Sequence, residues 1–288
     1  MEVRVKPGKY VVAVSGGVDS MALLDMLTQQ PELSLVVAHF EHGIRTDSDE
    51  DRQLVELAAE RYGLPFVFAR GNLGAGVSET TARAVRYAFL QQTREVHNAV
   101  AIITAHHQDD VLETAFINLL RGTGSRGLAS LQSTDVLVRP LLDVSKEQVL
   151  AYAKMHGLAW REDSTNADEQ YLRNYLRRRI MPRMTAENRE QLLQYVYAAR
   201  HSEQTIGDIL LPRLRGNEID RQWFMRLPYA VSAAAMALWL RTHATRFDRR
   251  AIHRLVVFAK TAAPGTRADI DLAHYLYASK NHITLVSR

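Results

Sequence analysis

The segment Val11-Val12-Ala13-Val14-Ser15-Gly16-Gly17-Val18-Asp19-Ser20 runs from a β-branched apolar stretch into two glycines, two serines and one acid. The pattern reads as a strand, a tight turn and a helix start, and the chemistry it suits is anion binding. Glycines let the backbone approach a ligand closely, N–H groups at the helix start point outward, and Ser15 and Ser20 add hydroxyl donors. A carboxylate at Asp19 repels a bare phosphate, so it makes sense there if it binds a metal ion that the phosphates also bind. The loop is not a Walker A motif, which ends in Gly-Lys-Ser/Thr. The bland counterpart is a strand-to-helix turn with a capping acid.

A second polar cluster, Ala105-His106-His107-Gln108-Asp109-Asp110-Val111-Leu112-Glu113-Thr114, follows another apolar run, Ala101 to Thr104. If both runs are strands of one parallel sheet, both clusters emerge at its carboxyl edge, where such sheets bind ligands. On a helix beginning near Asp109, the side chains of Asp110, Glu113 and Thr114 share a face, with Asp109 about 100° away from Asp110. Asp110 is therefore expected to partner Asp19 in holding magnesium. Adjacent carboxylates at a helix start also serve as plain caps, and the two roles are compatible. His106 and His107 invite a zinc reading, which the absence of cysteine and the hardness of the carboxylates oppose.

The Ser-Gly-Gly-Val-Asp-Ser loop resembles the pyrophosphate-binding loop of the N-type ATP pyrophosphatases, the PP-loop superfamily. Its members cleave ATP between the α- and β-phosphates and adenylate an oxygen of their substrate. The resemblance implies that Ser15, Gly16, Gly17, Val18, Asp19 and Ser20 cradle the phosphates. It also implies that backbone near Ala13 and around Ala38 and His39 holds adenosine.

Further segments narrow the resemblance to the tRNA(Ile)-lysidine synthetase family. His39-Phe40-Glu41-His42-Gly43-Ile44-Arg45, with Ser48 and Asp51, is similar to the family's segment after the second strand, and Glu79 to Leu90, with Ala82, Arg83, Arg86 and Tyr87, to its third helix. Arg121-Gly122-Thr123-Gly124, Gly127-Leu128 and Arg139-Pro140-Leu141-Leu142 resemble its next motifs. Trp160, Asp163, Thr165, Asn166, Arg173, Asn174, Arg177 and Pro182 follow at the family's spacing. Each match is weak alone, but in order over residues 11–182 they are specific. The C-terminal part is similar only in size, placement and basic character.

The family resemblance implies ATP-driven ligation of free L-lysine to C2 of cytidine 34 in the isoleucine tRNA with a CAU anticodon, changing decoding from AUG to AUA. The C2 oxygen first attacks the α-phosphate and pyrophosphate leaves; the lysine ε-amine then attacks C2 and expels AMP. Asp19 and Asp110 are expected to hold Mg2+, and Arg121 to reach charge on the α-phosphate or contact the tRNA. Glu113 is a candidate to orient the lysine ammonium, and His106, His107 or a carboxylate to take the proton. Arg83, Arg86, Arg173, Asn174, Arg177 and Arg178 are expected to bind tRNA, with Arg249, Arg250, Arg254 and Arg267 as remote contacts. The competing reading makes these arginines solvent-facing helix charges. Against it, Arg173, Arg177, Arg178, Arg179 and Arg183 are opposed locally only by Glu187, a density that favours an anionic partner.

These residues need a scaffold that brings both clusters to one edge. Strand-like runs at Lys9–Val14, Leu35–Phe40, Phe66–Ala69, Ala101–Thr104 and Val136–Arg139 alternate with helical patterns at Ser20–Thr28, Glu50–Tyr62, Thr80–Val96 and Asp110–Leu120. The alternation predicts an α/β fold, a parallel sheet flanked by helices. After Pro140 the pattern turns helical. Ser145 and Gln148 stand at capping-box spacing, Tyr171–Ile180 is a basic helix ending at Pro182, and Ala186–Leu211 is a long helix before Pro212. From Glu218 a small α+β region starts helical and finishes with short strands at Asp269–Asp271 and Ile283–Val286. The expected domains are a catalytic one over residues 1–185, a helical connector over 186–215 and a tRNA-binding one over 216–288.

The chain has 288 residues with a net charge of +4, which conceals −7 over residues 1–170 and +11 over residues 171–288. An acidic part suited to metal ions and a basic part suited to a polyanion are expected to meet along one groove. The longest uncharged apolar run of the second half, Val231–Leu240, is far short of the roughly 20 residues that cross a bilayer, and reads as a buried helix. Charged residues from Glu2 to Lys9 exclude a signal-peptide pattern, so a soluble cytoplasmic protein is expected, and a homo-oligomer stays open. Without cysteine, disulfide scaffolds, thiolate metal sites and cysteine nucleophiles are excluded, and sulfur-transferring tRNA enzymes are disfavoured. The amidating ligases of the superfamily share the loop but not the Arg-Asn-x-x-Arg segment, and an RNA-binding protein that keeps ATP as a switch is opposed by intact Asp19 and Asp110.

Overall fold

Short apolar runs that are buried on both faces pair as parallel strands, and the intervening amphipathic stretches cover them as helices. The computed structural model describes residues 3–41, 43, 48–71, 77, 79–161, 172–214 and 216–288. His42, Ile44, Arg45, Asp163, Thr165, Asn166 and Tyr171 lie outside the described residues. Contacts divide the chain into two units, Met1–Ala199 and Arg200–Arg288.

In the first unit the strands are β1 (Gly8–Ala13), β2 (Leu33–Glu41), β3 (Phe66–Arg70), β4 (Ala101–Ile103) and β5 (Leu137–Val138). They form one parallel sheet in the order β3-β2-β1-β4-β5. The chain leaves β1 toward β2 on one side and later returns beside β1 as β4, so the order reverses between β1 and β4. That switch point is where an open α/β sheet offers a crevice. The helices are α1 (Val18–Thr28), α2 (Ser48–Arg61), α3 (Glu79–Val96), α4 (Gln108–Leu120), a single turn α5 (Ser125–Leu128) and α6 (Lys146–Met155). Every sheet and helix expected from the alternation is present, with β5 shorter than the four residues read from sequence.

The pleat of β1 sorts its side chains. Tyr10, Val12 and Val14 pack with Leu23, Leu24 and Leu27 of α1 and with Val149 and Ala153 of α6. Val11 points the other way, onto Leu90 of α3 with Val36 and Ile102. Val11, Val12, Leu23 and Leu24 have no exposure, and burying each contributes about 1.5–3 kcal/mol. The start of α6 is set by the capping box read from sequence: Gln148 N donates to Ser145 Oγ at 3.2 Å and Ser145 N to Gln148 Oε1 at 2.9 Å.

The basic segment departs from a regular helix. One turn, α7 (Leu172–Tyr175), passes into a π-helical stretch at Leu176–Ile180 and a 3-10 turn at Met181–Arg183. Pro182 lacks the N–H that an α-helix needs, which is why the tighter turn follows. The wider π turn is the kind of irregularity found at functional sites. Helix α8 (Ala186–Leu210) follows, and its residues Leu193 and Val196 pack with Val111, Leu112 and Ala115 of α4.

The second unit has β6 (Glu218–Asp220), α9 (Arg221–Arg226), α10 (Tyr229–Thr242), α11 (Arg249–Thr261), β7 (Thr266–Asp269), β8 (His274–Ala278) and β9 (His282–Ser287). Its sheet is antiparallel in the order β6-β9-β8-β7. The sequence reading missed β6 and β8 and began β7 three residues late, at Asp269 in place of Thr266. In β8 only Leu276 and Ala278 face the core while His274, Tyr275 and Tyr277 are polar or aromatic, so its alternation is faint. The apolar run Val231–Leu240 is indeed a buried helix, with Ala235, Met236, Trp239 and Leu240 at no exposure. No helix among the described residues is long and apolar enough to cross a membrane.

Candidate functional site

Between β1 and α1 the backbone turns at Gly16, whose φ of 90° lies in the left-handed region that a side chain disfavours. Gly17 is the N-cap of α1 and brings no side chain to cap it. The first turn of α1 therefore presents N–H groups toward the crevice, the arrangement that binds phosphate. The serines hold this turn rather than merely line it. Ser20 Oγ donates to Gly17 O at 2.9 Å and accepts from Ser15 N at 3.1 Å, and the two hydroxyl oxygens are 3.2 Å apart. From behind, Arg161 N donates to Gly16 O at 3.0 Å, and Arg161 Nε to Asp51 Oδ1 at 2.8 Å.

Asp19 on α1 and Asp110 on α4 meet at one point. His107 Nε2 lies 3.6 Å from Asp19 Oδ2 and 3.5 Å from Asp110 Oδ2. Asp110 also accepts from the His107 N–H at 3.0 Å, so it caps α4 and faces the crevice together, as the helix phase implied. Asp109 faces elsewhere, onto Arg189 at 3.0 Å and the N–H of Lys146 at 3.3 Å. Burial works against the Asp19 carboxylate, but His107 and Lys146 outweigh it and hold the group below its usual range. For His107, burial lowers the imidazole pKa, and the hydrogen bond to Asp19 with the charges of Asp110 and Asp19 overcomes this and raises it.

Two carboxylates from different helices, converging beside the His107 ring, are a donor set that fits Mg2+, an ion usually held by one or two carboxylates with phosphate and water completing its shell. Among the described residues no group of three or more His, Asp or Glu side chains is arranged to hold a metal.

A cavity of about 340 Å³ opens above this pair, lined by Ala13, Gly17, Ala38, His39, Arg86 and His106 among others. Val18 is half-buried just inside α1 and packs against the main core. His39 is buried at 3% exposure, and its Nδ1 is 2.8 Å from Val14 O, which assigns the proton to that nitrogen. Burial lowers the His39 pKa, so the ring is neutral.

A second cavity of about 360 Å³ lies on the far side of His106, lined by Arg83, Arg121, Arg139 and Arg173 with Asn118 and Leu172. His106 lines both cavities, with Nδ1 2.8 Å from Thr104 Oγ1 and its pKa pushed down to about 4, mainly by burial. Arg83 and Arg86 thus separate: Arg86 joins the first cavity and Arg83 the second, where it stacks on Tyr87 at 4.8 Å. Arg121 is exposed and lines the second cavity, not the one holding the phosphate loop.

Arg177 is drawn into the acidic cluster. Its Nε and Nη2 donate to Glu113 at 2.7 and 3.0 Å, and Nη2 also to Asp110 at 3.2 Å. Arg173 Nη2 donates to Thr114 Oγ1 at 3.1 Å, and its Nε is 3.6 Å from Glu113. Glu113 is 1% exposed; burial pushes its carboxyl up further than Arg177 pulls it back, so it stands above its usual range. At that burial, and absent from the lining of either cavity, Glu113 does not stand open as a lysine ligand. Asn174 is half-buried, whereas Arg178 and Arg179 are exposed. In the second unit, Arg249, Arg250 and Arg254 are exposed on α11 and Arg267 on β7.

Lys146 was not read as functional. Its Nζ donates to both oxygens of Asp19 at 2.7 Å, placing the first residue of α6 at the phosphate turn. A signal was available, since a basic residue directly after a helix N-cap is against the helix dipole and calls for a compensating acid.

A family model described as PP-loop domain matches residues 2–184. A tRNA(Ile)-lysidine synthase of Geobacter sulfurreducens is 41% identical over 191 residues, covering 62% of this chain and 40% of that protein. One of Thermus thermophilus is 42% identical over 178 residues, covering 60% of this chain and 35% of that protein. A bifunctional protein TilS/HprT of Listeria monocytogenes is 30% identical over 262 residues, covering 86% of this chain and 40% of that protein. The chain thus spans less than half the length of these curated relatives. Among solved structures, the U34-tRNA thiolase NcsA of Methanococcus maripaludis aligns with a TM-score of 0.48 at 17% identity, covering 67% of this chain and 70% of that chain.

Proposed function

The chain belongs to the PP-loop domain family, and from that premise we propose that it ligates L-lysine to C2 of cytidine 34 in tRNA(Ile) with a CAU anticodon. ATP and Mg2+ are used, an adenylated cytidine is the intermediate, and the reaction takes place in the cytoplasm. The observation that carries this reading is the convergence of Asp19 and Asp110 on His107 Nε2 beside the open N-terminus of α1. The names of the lysidine synthase relatives supply the substrate class.

In this reading the turn Ser15–Ser20 receives the ATP phosphates on backbone N–H groups, with adenosine against Ala13, Ala38 and His39. Mg2+ held by Asp19 and Asp110 would offset phosphate charge and stabilise the leaving pyrophosphate. Lys146, held on Asp19, brings a further positive charge to the same phosphates. The C2 oxygen of cytidine attacks the α-phosphate and pyrophosphate leaves; the neutral ε-amine of lysine then attacks C2, and AMP leaves.

The second cavity receives the RNA strand. Arg83, Arg121, Arg139 and Arg173 meet its phosphates, and His106 forms the passage by which a splayed base reaches the α-phosphate. A base pushed down to about 4 is a weak proton acceptor, so His106 shapes this passage more than it moves protons. Arg178 and the exposed arginines of α11 and β7 hold the remaining tRNA by its phosphates. Catalysis falls to residues 1–185, a helical connector to 186–215 and tRNA binding to 216–288. The test is incubation with ATP, Mg2+, lysine and the CAU-anticodon tRNA, read as the mass of nucleoside 34.

A further inference from the structure

Below the phosphate turn, α1 and α6 are joined a second time, by a cluster that the reaction does not use. Asp25 of α1 accepts from Tyr152 Oη of α6 at 2.6 Å, from Tyr62 Oη at 2.6 Å and from Gln29 Nε2 at 3.1 Å. Gln29 Nε2 also donates to Tyr152 Oη at 2.9 Å, and His156 stacks on Tyr152 at 4.0 Å with its Nδ1 3.5 Å from Asp25. Tyr152 is 6% exposed and Asp25 9%. Burial and the Asp25 charge push the Tyr62 hydroxyl up to about 12 and the Tyr152 hydroxyl higher still, so both remain donors.

The two links are in step. Asp19 pairs with Lys146 and Asp25 with Tyr152, each across 127 residues, so six residues separate the links on both helices. At 1.5 Å per residue that is about 9 Å along each axis, and a slip of one residue would carry Nζ about 1.5 Å away from the carboxylate. The lysine has a flexible stem and is 40% exposed; the Ser145–Gln148 capping box and the Lys146 N–H on Asp109 fix where its helix begins, and the Asp25–Tyr152 link adds the axial register against α1.

We propose that Asp25 is a positioning residue for the phosphate site: through Tyr152 it sets the axial register of α6 on α1 and so holds Lys146 against Asp19. The inference rests on the ATP-binding part of the proposed function and not on the identity of the RNA product. A purely structural role would lower stability without reaching the ligand, and the two tyrosines separate these cases. Tyr62 gives Asp25 an equally short hydrogen bond but comes from the end of α2, which carries no cation to the phosphates.

The experiment measures Mg2+-ATP affinity of the full chain by calorimetry, with thermal midpoints alongside, for Tyr152→Phe, Tyr62→Phe, Lys146→Ala and the double variant Tyr152→Phe/Lys146→Ala. Tyr152→Phe is expected to weaken ATP binding about three- to ten-fold and Tyr62→Phe less than about two-fold, with similar drops in midpoint. In the Lys146→Ala background Tyr152→Phe should have no further effect, since coupled residues are not additive. Equal effects of the two tyrosines on affinity, or an undiminished effect of Tyr152→Phe without Lys146, would overturn the proposal. Should Tyr152→Phe fold poorly, Asp25→Asn is expected to show the same dependence on Lys146. Wild-type protein that binds ATP yet forms no lysidine would refute the proposed reaction and leave this outcome readable; wild-type protein that binds no ATP would overturn both.

Discussion

The ammonium of Lys146 lies 2.7 Å from each carboxylate oxygen of Asp19, across 127 residues of chain. The phosphate turn therefore carries a counter-charge before any ligand arrives, and ATP binding shares that charge between a carboxylate and phosphates. Lys146→Ala is expected to weaken Mg2+-ATP binding about ten- to a hundred-fold, the range of a charged hydrogen bond, and Lys146→Arg to recover part of it. Titration calorimetry checks this, and unchanged affinity in Lys146→Ala would place the lysine outside the site.

Asp19→Asn keeps the shape of the turn but removes half of the proposed metal pair. Turnover should fall at least about a thousand-fold, while tRNA affinity stays within about three-fold because the exposed arginines are elsewhere. Single-turnover kinetics and filter binding measure the two quantities separately. Equal losses in both would refute the separation.

The arginines of residues 173–179 divide into two kinds. Arg177 is bidentate on Glu113, which is 1% exposed, so Arg177→Ala strands a buried carboxylate and should cost about 1–3 kcal/mol, discounted because the arginine is itself 39% exposed. Arg178 is exposed, and Arg178→Ala should instead lower tRNA affinity and reduce its salt slope by about 1. Denaturant melts and a salt series distinguish the variants. An Arg177→Ala protein of normal stability and altered salt slope would reverse the assignment.

This division shows where sequence reading reached and where it stopped. Asp110 was separable from Asp109 because helix phase is fixed by the backbone, and the structure turns Asp109 to Arg189 instead. Helix phase says which face Asp110 and Glu113 share but not what packs on that face, so Arg177 read as a tRNA contact and its pairing with Glu113 was not foreseen. The partner of Lys146 was hidden for a related reason, since only the tertiary pairing of α1 with α6 brings it to Asp19. The strands β1 to β5 were legible from apolar runs, while β8, with two tyrosines and a histidine, hid its alternation.

Burial keeps His39 and His106 neutral, each with its pKa lowered in the folded chain. The unfolded chain then binds more protons, so their contribution to stability is present above about 6.5 and is lost as pH falls toward the folded value, about 4 for His106. For His106 each pH unit across that window is worth at most about 1.4 kcal/mol. Unfolding free energy measured from pH 7 to pH 4 should decline, and His106→Asn should make the decline shallower. A profile identical to wild type would mean that His106 titrates alike in both states.

The most direct test of the account is the lysidine assay with two tRNAs side by side. Purified chain, ATP, Mg2+ and lysine are incubated with tRNA(Ile) and with tRNA(Met), both bearing CAU, and nucleoside 34 is weighed by mass spectrometry. The account predicts AMP and pyrophosphate release, with nucleoside 34 of tRNA(Ile) heavier by one lysine less one water, and no change in tRNA(Met). No mass gain in tRNA(Ile), in protein shown to bind ATP and tRNA, would contradict it.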